Sequence, residues 1–317
     1  IFDLDSTDSI YKKIIENDSL KTIRGIEAYI AFLKRKKRFK EQQETLNKFF
    51  PKEDQNILIQ HARYVSLNNK SIRLINSPGE GIAEVFYSAS KALAESNDLN
   101  SAIIYSRLSA FLDPSSFISI LLLGEIFENK KNWQESANIF RQIDSNSPLG
   151  WSAGIKVAKN LSKLSSTRQS IELLISLSKQ KPDRIEPYIT IGDLYRSEKR
   201  WLKSIDNYNL AIKRIDKLTN KDWVLLYSRG IAFERSKQWN KAEKDFLRAL
   251  ELEPSQPLVM NYLAYSWVEQ GVNLSKAKSM IEEAVKQRPR DGYIIDSLGW
   301  VMYRMGKYDM AVKNLER

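Results

Sequence analysis

The chain of 317 residues contains no cysteine and one histidine, His61. Disulfides and thiolate sites are therefore excluded, and so is any zinc site assembled from cysteine and histidine. A Ser–His nucleophilic pair would have to use His61, which lies in the least regular part of the chain and reads as a structural or surface residue. Gly79-Glu80-Gly81 lacks the Lys-Ser/Thr that completes a phosphate-binding loop. Carboxylates are plentiful, but no spacing selects an acid/base pair. No stretch of about 18 apolar residues is present, so no transmembrane helix is expected. These absences argue against an enzyme: no catalytic, cofactor-binding or metal-binding residues are assigned, and no small-molecule substrate is expected.

The 12 glycines and 9 prolines sit mainly at turns. Pro114, Pro148 and Pro182 fall 34 residues apart; Asp216 takes the next position, and prolines return at 254 and 289. A period of 34 is the length of a helix–turn–helix unit that stacks into a solenoid. The clearest unit runs from Asp222 to Pro254, where Leu226, Gly230, Phe233, Ala242, Phe246, Ala249 and Pro254 are spaced by 4, 3, 9, 4, 3 and 5. Spacings of 3 and 4 put residues on one helix face, so two such runs with a break between them predict paired amphipathic helices. Gly230 and Ala242 are small where the pair would cross most closely.

The pattern recurs. Leu123-Gly124, Phe127, Trp133, Phe140 and Pro148 follow it, with Ser136 at the small position. So do Val157-Ala158, Leu161, Ser170 and Leu174, then Ile191-Gly192, Tyr195, Trp201, Ser204 and Tyr208. Leu263-Ala264, Trp267, Ala277 and Ala284 come next, then Leu298-Gly299, Gly306, Tyr308, Ala311 and Leu315. Upstream, Phe86, Ala89, Leu93, Ala102 and Pro114 keep the register.

These residues resemble the tetratricopeptide repeat (TPR) family, whose signature is this Leu-Gly, aromatic, Ala, aromatic, Ala, Pro spacing. Ser109, Ser136, Ser170 and Ser204 replace the usual alanine, and Asp216 the usual proline; small-for-small exchange keeps the crossing. The resemblance implies an all-α fold, a right-handed α-solenoid of stacked helix–turn–helix repeats. Residues 83–317 would hold about seven units, the last truncated. Residues 296–308 resemble the C-terminal repeats of proteobacterial envelope proteins with tandem repeats.

Residues 1–82 are expected to form degenerate helical repeats or an N-terminal helical cap. Ile23–Phe39 and Glu41–Phe50 read as two helices, Asn56–Asn68 and Lys70–Asn76 as another pair. Ser77-Pro78-Gly79-Glu80-Gly81 reads as the strongest loop in the chain. The chain starts at Ile1 and stops inside its last repeat, which leaves room for a removed signal or lipid anchor and for a further C-terminal helix. Without that helix, self-association through the truncated end is expected.

Net charge is +11. The excess is spread, with 15 basic and 11 acidic side chains in residues 1–82 and 9 against 7 in residues 255–317, which disfavours nucleic acid as a partner. The exception is a candidate basic patch, Lys34, Arg35, Lys36, Lys37, Arg38 and Lys40. It reads as a solvated helix end or as a contact for an acidic partner or anionic lipid. Membrane contact would come only through this run or a missing anchor.

In stacked pairs the first helices line a concave groove. The predicted groove positions are Leu121, Glu125 and Glu128, then Ile189, Asp193 and Arg196, then Tyr227, Ile231 and Glu234. Asn261, Tyr265 and Val268 follow, then Asp296, Trp300 and Tyr303. The partner-binding groove is assigned to Tyr227, Asn261, Tyr265, Asp296, Trp300 and Tyr303: large, partly polar aromatics favour binding hot spots, and the amides and acids can bond a peptide backbone. The alternative is that these aromatics simply pack on a neighbouring repeat. Trp133, Trp201 and Tyr308, in the turns, read as structural. The expected function is a protein–protein interaction scaffold or adaptor in a bacterial envelope assembly or maturation pathway, periplasmic or envelope-associated, with the cytoplasm as the alternative. The competing reading is a repeat protein that associates with nucleic acid or binds an anionic membrane surface.

Overall fold

A computed structural model describes residues 4–17, 22–52, 57–68, 75, 77–147 and 149–316. Pro148, one of the period-marking prolines, lies outside the described residues, as do Asn56 and the predicted Lys70–Asn76 helix apart from Ile75. Among the described residues there are helices and turns and no strand. The chain forms two compact units, Ile1–Leu177 and Ser178–Arg317.

The first unit holds α1 (Leu4–Glu16), α2 (Ile23–Arg35), α3 (Phe39–Phe49), α4 (Ile57–Asn68), α5 (Pro78–Glu95), α6 (Leu99–Leu112), α7 (Phe117–Asn129), α8 (Trp133–Phe140), α9 (Gly150–Lys163) and most of α10 (Thr167–Gln180). The second holds α11 (Glu186–Ser197), α12 (Trp201–Ile212), a 3₁₀ turn at Asn220–Asp222, α13 (Trp223–Arg235), α14 (Trp239–Leu252), α15 (Pro257–Glu269), α16 (Leu274–Gln287), α17 (Gly292–Arg304) and α18 (Tyr308–Leu315). The helices stand in paired repeats, the all-α solenoid that the 34-residue period predicts.

One local device closes the pairs. The second residue past the first helix is left-handed at Asn97, Lys131, Ser165, Lys199 and Lys237, and at Gly271 and Gly306. The next N–H then reaches back to the last turn, as in Asp98 to Leu93, Asn132 to Phe127, Arg200 to Tyr195 and Lys307 to Met302. This bond satisfies a carbonyl that the helix end would leave open and reverses the chain in two or three residues. Lys37 between α2 and α3 carries the same device: its φ is 59° and Arg38 N–H donates to Leu33.

That turn corrects the predicted helix limits. The first of the two helices ends at Arg35, not Phe39, and the second begins at Phe39. The predicted loop at 77–81 is instead the start of α5. Ser77 caps it by accepting from Glu80 N–H, and Pro78 takes the first turn, where its missing N–H is not needed. Gly79 and Gly81 are helical there, so the loop signal was a capped helix start. Helix α1 had no counterpart in the predicted elements.

Within a pair, the small positions do what the spacing requires. A Cβ on Gly124, Gly192 or Gly230 would lie 2.4, 2.5 or 2.6 Å from the ring of Phe140, Tyr208 or Phe246 respectively, each 16 residues on. The serines add something their size did not announce. Ser136, Ser170 and Ser204 hydroxyls donate to the carbonyls of Gly124, Ala158 and Gly192 at 2.8, 2.6 and 2.8 Å. Each is buried and ties the second helix to the first. Asn160 extends one of these bonds, its Nδ2 donating to Ser136 Oγ at 2.8 Å.

Candidate interaction surfaces

The predicted groove positions divide by unit. In the first, Leu121 is buried in the core, and Glu125 and Glu128 both hold Lys156, at 3.3 and 2.8 Å. In the second, Asp193 accepts from the Tyr208 hydroxyl at 2.6 Å and pairs with Arg196 at 3.4 Å. The mixed charge of these repeats is thus largely answered within the protein.

Nearer the C-terminal end of the second unit, α13, α15 and α17 are the first helices of successive pairs. The structure separates the assigned residues. Tyr227 is half-buried, its ring 6.1 Å from Trp223, 6.0 Å from Phe246 and 5.8 Å from Tyr262 in an edge-on contact. Most of its ring is committed to packing. Val268 is fully buried in the core of the second unit.

Tyr265 and Tyr303 remain 39% and 50% exposed, and Asp296 is exposed. Trp300 stacks on Tyr303 at 5.3 Å, and its indole N–H donates to Glu269 Oε1 at 2.6 Å. The guanidinium of Arg304 lies 5.8 Å from the Trp300 ring. Burial and the negative charges of Glu269 and Asp296 raise the Tyr265 hydroxyl pKa. Asn261 carries a buried Oδ1 with no hydrogen-bond partner among the described residues. Sequence reasoning missed Glu269, which links α15 to Trp300, and Tyr262. The Tyr262 hydroxyl bonds Glu234 at 3.1 Å and is pushed up to about 12 by burial and that carboxylate. Their signal was the helical face of Tyr265, which lies three residues after Tyr262 and four before Glu269.

The basic run spans the last turn of α2, the turn that follows and the start of α3, not a single helix end. Arg38 is engaged by Asp8 at 2.9 Å and Glu41 at 2.5 Å. Arg35 and Lys36 lie 5.8 and 6.0 Å from the Phe32 ring. Arg35, Lys36, Lys37 and Lys40 are exposed. Trp133, Trp201 and Tyr308 each open the second helix of their pair.

The first unit also contains a cleft of about 1030 Å³ between α2, α4, α5 and the segments 113–118 and 144–147. Arg24 on its wall bonds Glu27 at 2.9 Å and Glu84 at 2.7 Å. Glu27 is 3% exposed, and burial raises its carboxyl pKa against the opposing pull of Arg24. His61 is also buried and is pushed down to about 4, first by burial and then by the charge of Arg24.

Helix pairs that repeat every 34 residues and close on a left-handed residue define the α-solenoid class of repeat protein. The repeats are similar to tetratricopeptide repeats: residues 223–256 match the family described as Tetratricopeptide repeat. Over 200 residues the chain is 25% identical to a TPR repeat-containing protein of Pseudomonas aeruginosa, covering 62% of this chain and 32% of that protein. Over 112 residues it is 29% identical to the BBSome complex member BBS4 of Bos taurus, covering 35% of this chain and 20% of that one. The chain thus spans about a third and a fifth of the relatives it matches. Among solved structures, the C-terminal part of a TPR repeat-containing protein from Cytophaga hutchinsonii is similar with a TM-score of 0.55 at 17% identity, over 72% of this chain and 93% of that one. The anaphase-promoting hetero-tetramer Cut9–Hcn1 is similar with a TM-score of 0.54 at 13% identity, over 94% of this chain and 52% of that one. Both share the fold. Tetratricopeptide repeats are in general a non-enzymatic scaffold fold.

Proposed function

We propose that the chain is a protein–protein interaction scaffold that receives a peptide segment of a partner on the first helices of its C-terminal repeats. The observation that carries this reading is the unpaired, buried Oδ1 of Asn261 beside exposed Tyr265 on α15, with the stacked Trp300 and Tyr303 on α17. An acceptor without a donor is an unmet hydrogen bond that a peptide N–H can complete, and desolvated aromatics contribute most where their polar edges stay paired. Asp296 and Glu269 give this surface an acidic margin. The proposed setting, a bacterial envelope pathway, draws on the resemblance of residues 296–308 to envelope repeat proteins.

The test uses a partner recovered by affinity purification and measured on purified protein. Trp300→Ala and Tyr265→Ala should each weaken it by about 2 kcal/mol or more, as anchor aromatics do, while the melting temperature stays near the parent's. Undiminished binding by a folded double variant would remove the groove from consideration, and a large loss of melting temperature with binding intact would make these rings packing residues. Fractionation of cells expressing the full gene tests the location, and a purely cytosolic pool would refute the envelope setting.

A further inference from the structure

The cleft of the first unit shares no residue with the proposed groove and runs against the charge of the molecule. The protein carries +11, yet the cleft is lined by six carboxylates, among them Glu27, Glu84 and Glu95, against two cations, Arg24 and Lys91. Both cations are already occupied: Arg24 holds Glu27 and Glu84, and Lys91 lies 4.0 Å from Glu95. A wall with this excess of negative charge favours a positive guest.

Acidic residues alone would be a solvated surface. Here one of them is buried and half-used. Glu27 gives one oxygen to Arg24, while its Oε1 has no hydrogen-bond partner among the described residues. The same holds for Nδ1 of His61, on α4 across from α2, also buried and lining the cleft. Two buried polar atoms in one cleft without partners among the described residues are rare, because each forgoes about 1–3 kcal/mol until a partner arrives. Burial first, and then the negative charge of Glu84, hold the Glu27 carboxyl up against Arg24, and a second cation would oppose that shift. The remaining lining includes Ile23, Leu58, Val65, Phe117 and Ile118. A volume of about 1030 Å³ exceeds what one amine fills and suits a short peptide with apolar neighbours around a basic residue.

We propose that this cleft is a second binding site of the chain, which takes a lysine or arginine side chain of a peptide segment onto Glu27, with flanking apolar residues on Ile23, Leu58 and Phe117. The shared chemistry, an alkyl ammonium or guanidinium, could also come from a free polyamine, and the experiment separates the two. The site acts independently of the groove on α15 and α17.

A random heptapeptide library displayed on phage is selected on the full chain and, in parallel, on Glu27→Gln and Ser88→Arg. Ser88 is an exposed lining residue, so Ser88→Arg places a cation in the cleft without touching the core and serves where Glu27→Gln alters folding. The parent should enrich peptides with Arg or Lys beside apolar residues. Those peptides, resynthesised and measured by fluorescence anisotropy, should bind Ser88→Arg and folded Glu27→Gln at least tenfold more weakly and should lose binding when Arg is replaced by citrulline. Trp300→Ala should bind them like the parent; if it loses them instead, the peptides belong to the C-terminal groove and the cleft proposal fails. Spermidine that competes at the affinity of the peptide would assign the site to free polyamines and overturn the peptide reading. Enrichment without basic residues, equal binding by Ser88→Arg, or no enrichment over Ser88→Arg would each overturn the site.

Discussion

Gly230→Ala puts the repeat register to a direct energetic test. A Cβ at Gly230 would lie 2.6 Å from Phe246 Cε1, 2.9 Å from Cδ1 and 3.0 Å from Cζ. Phe246 cannot swing aside: it is fully buried, with Tyr227 at 6.0 Å and Tyr262 at 5.3 Å. Helix propensity works the other way, since alanine in a helix interior is better than glycine by about 1 kcal/mol. Overpacking in a filled core costs roughly 1–3 kcal/mol, so the net is a loss of up to about 2 kcal/mol. In a Phe246→Leu background the ring is gone, and the propensity gain should appear as a relative stabilisation. The coupling in this double-mutant cycle isolates the contact. Gly292→Ala is the internal control: nothing lies within 4 Å of its Cβ, so it should be neutral or mildly stabilising. Urea unfolding followed by tryptophan fluorescence reads the parent and all four variants, with Trp223, Trp239 and Trp267 in the same repeats. A Gly230→Ala protein as stable as Gly292→Ala, or a Phe246→Leu background that leaves its cost unchanged, would refute close packing of Gly230 on Phe246.

Lys199→Gly and Lys237→Gly should each raise stability by roughly 0.5–1 kcal/mol, because a side chain at φ near 60° carries a steric penalty that glycine lacks; a lower melting temperature for either would contradict the cap geometry. Ser204→Ala should cost about 1 kcal/mol by stripping the Gly192 carbonyl of its partner. Ser136→Ala should cost more, since Asn160 loses its buried acceptor as well; equal losses in thermal unfolding would deny that chain of bonds. Between pH 6.5 and 4 the unfolded chain binds a proton at His61 that the folded one refuses, so its contribution is full above that window and is lost as pH falls, a difference on the order of 3 kcal/mol. Glu27 has the opposite sign, its raised carboxyl pKa favouring the fold as acid is added. His61→Gln should therefore lose less melting temperature than the parent between pH 7 and pH 5, and parallel curves would refute the burial of a neutral histidine.

The amino-acid sequence by itself determined the period, the helix pairs and the identity of the crossing positions, because these follow from spacings of 3 and 4 along single helices and from breaks between them. It also singled out the α15 and α17 residues that stay exposed, Tyr265 and Tyr303, since a helix face is a local property. It misjudged 77–81, where Ser77 and Pro78 open a helix with the same residues that often make a loop, and only the cap bond from Glu80 N–H distinguishes the two. Only the tertiary structure decided which partners those faces meet. Ser136, Ser170 and Ser204 read as small spacers until their hydroxyls lay against carbonyls 12 residues back. Tyr227 looked as available as Tyr265 until Phe246 and Tyr262 closed on its ring. Arg24, Glu27, His61 and Glu84 carry no motif at all; 60 residues separate the ends of that cluster. Their burial, and the two unpartnered atoms it leaves, exist only once α2, α4 and α5 are packed together, because desolvation depends on what surrounds a group in space and not on its neighbours along the chain.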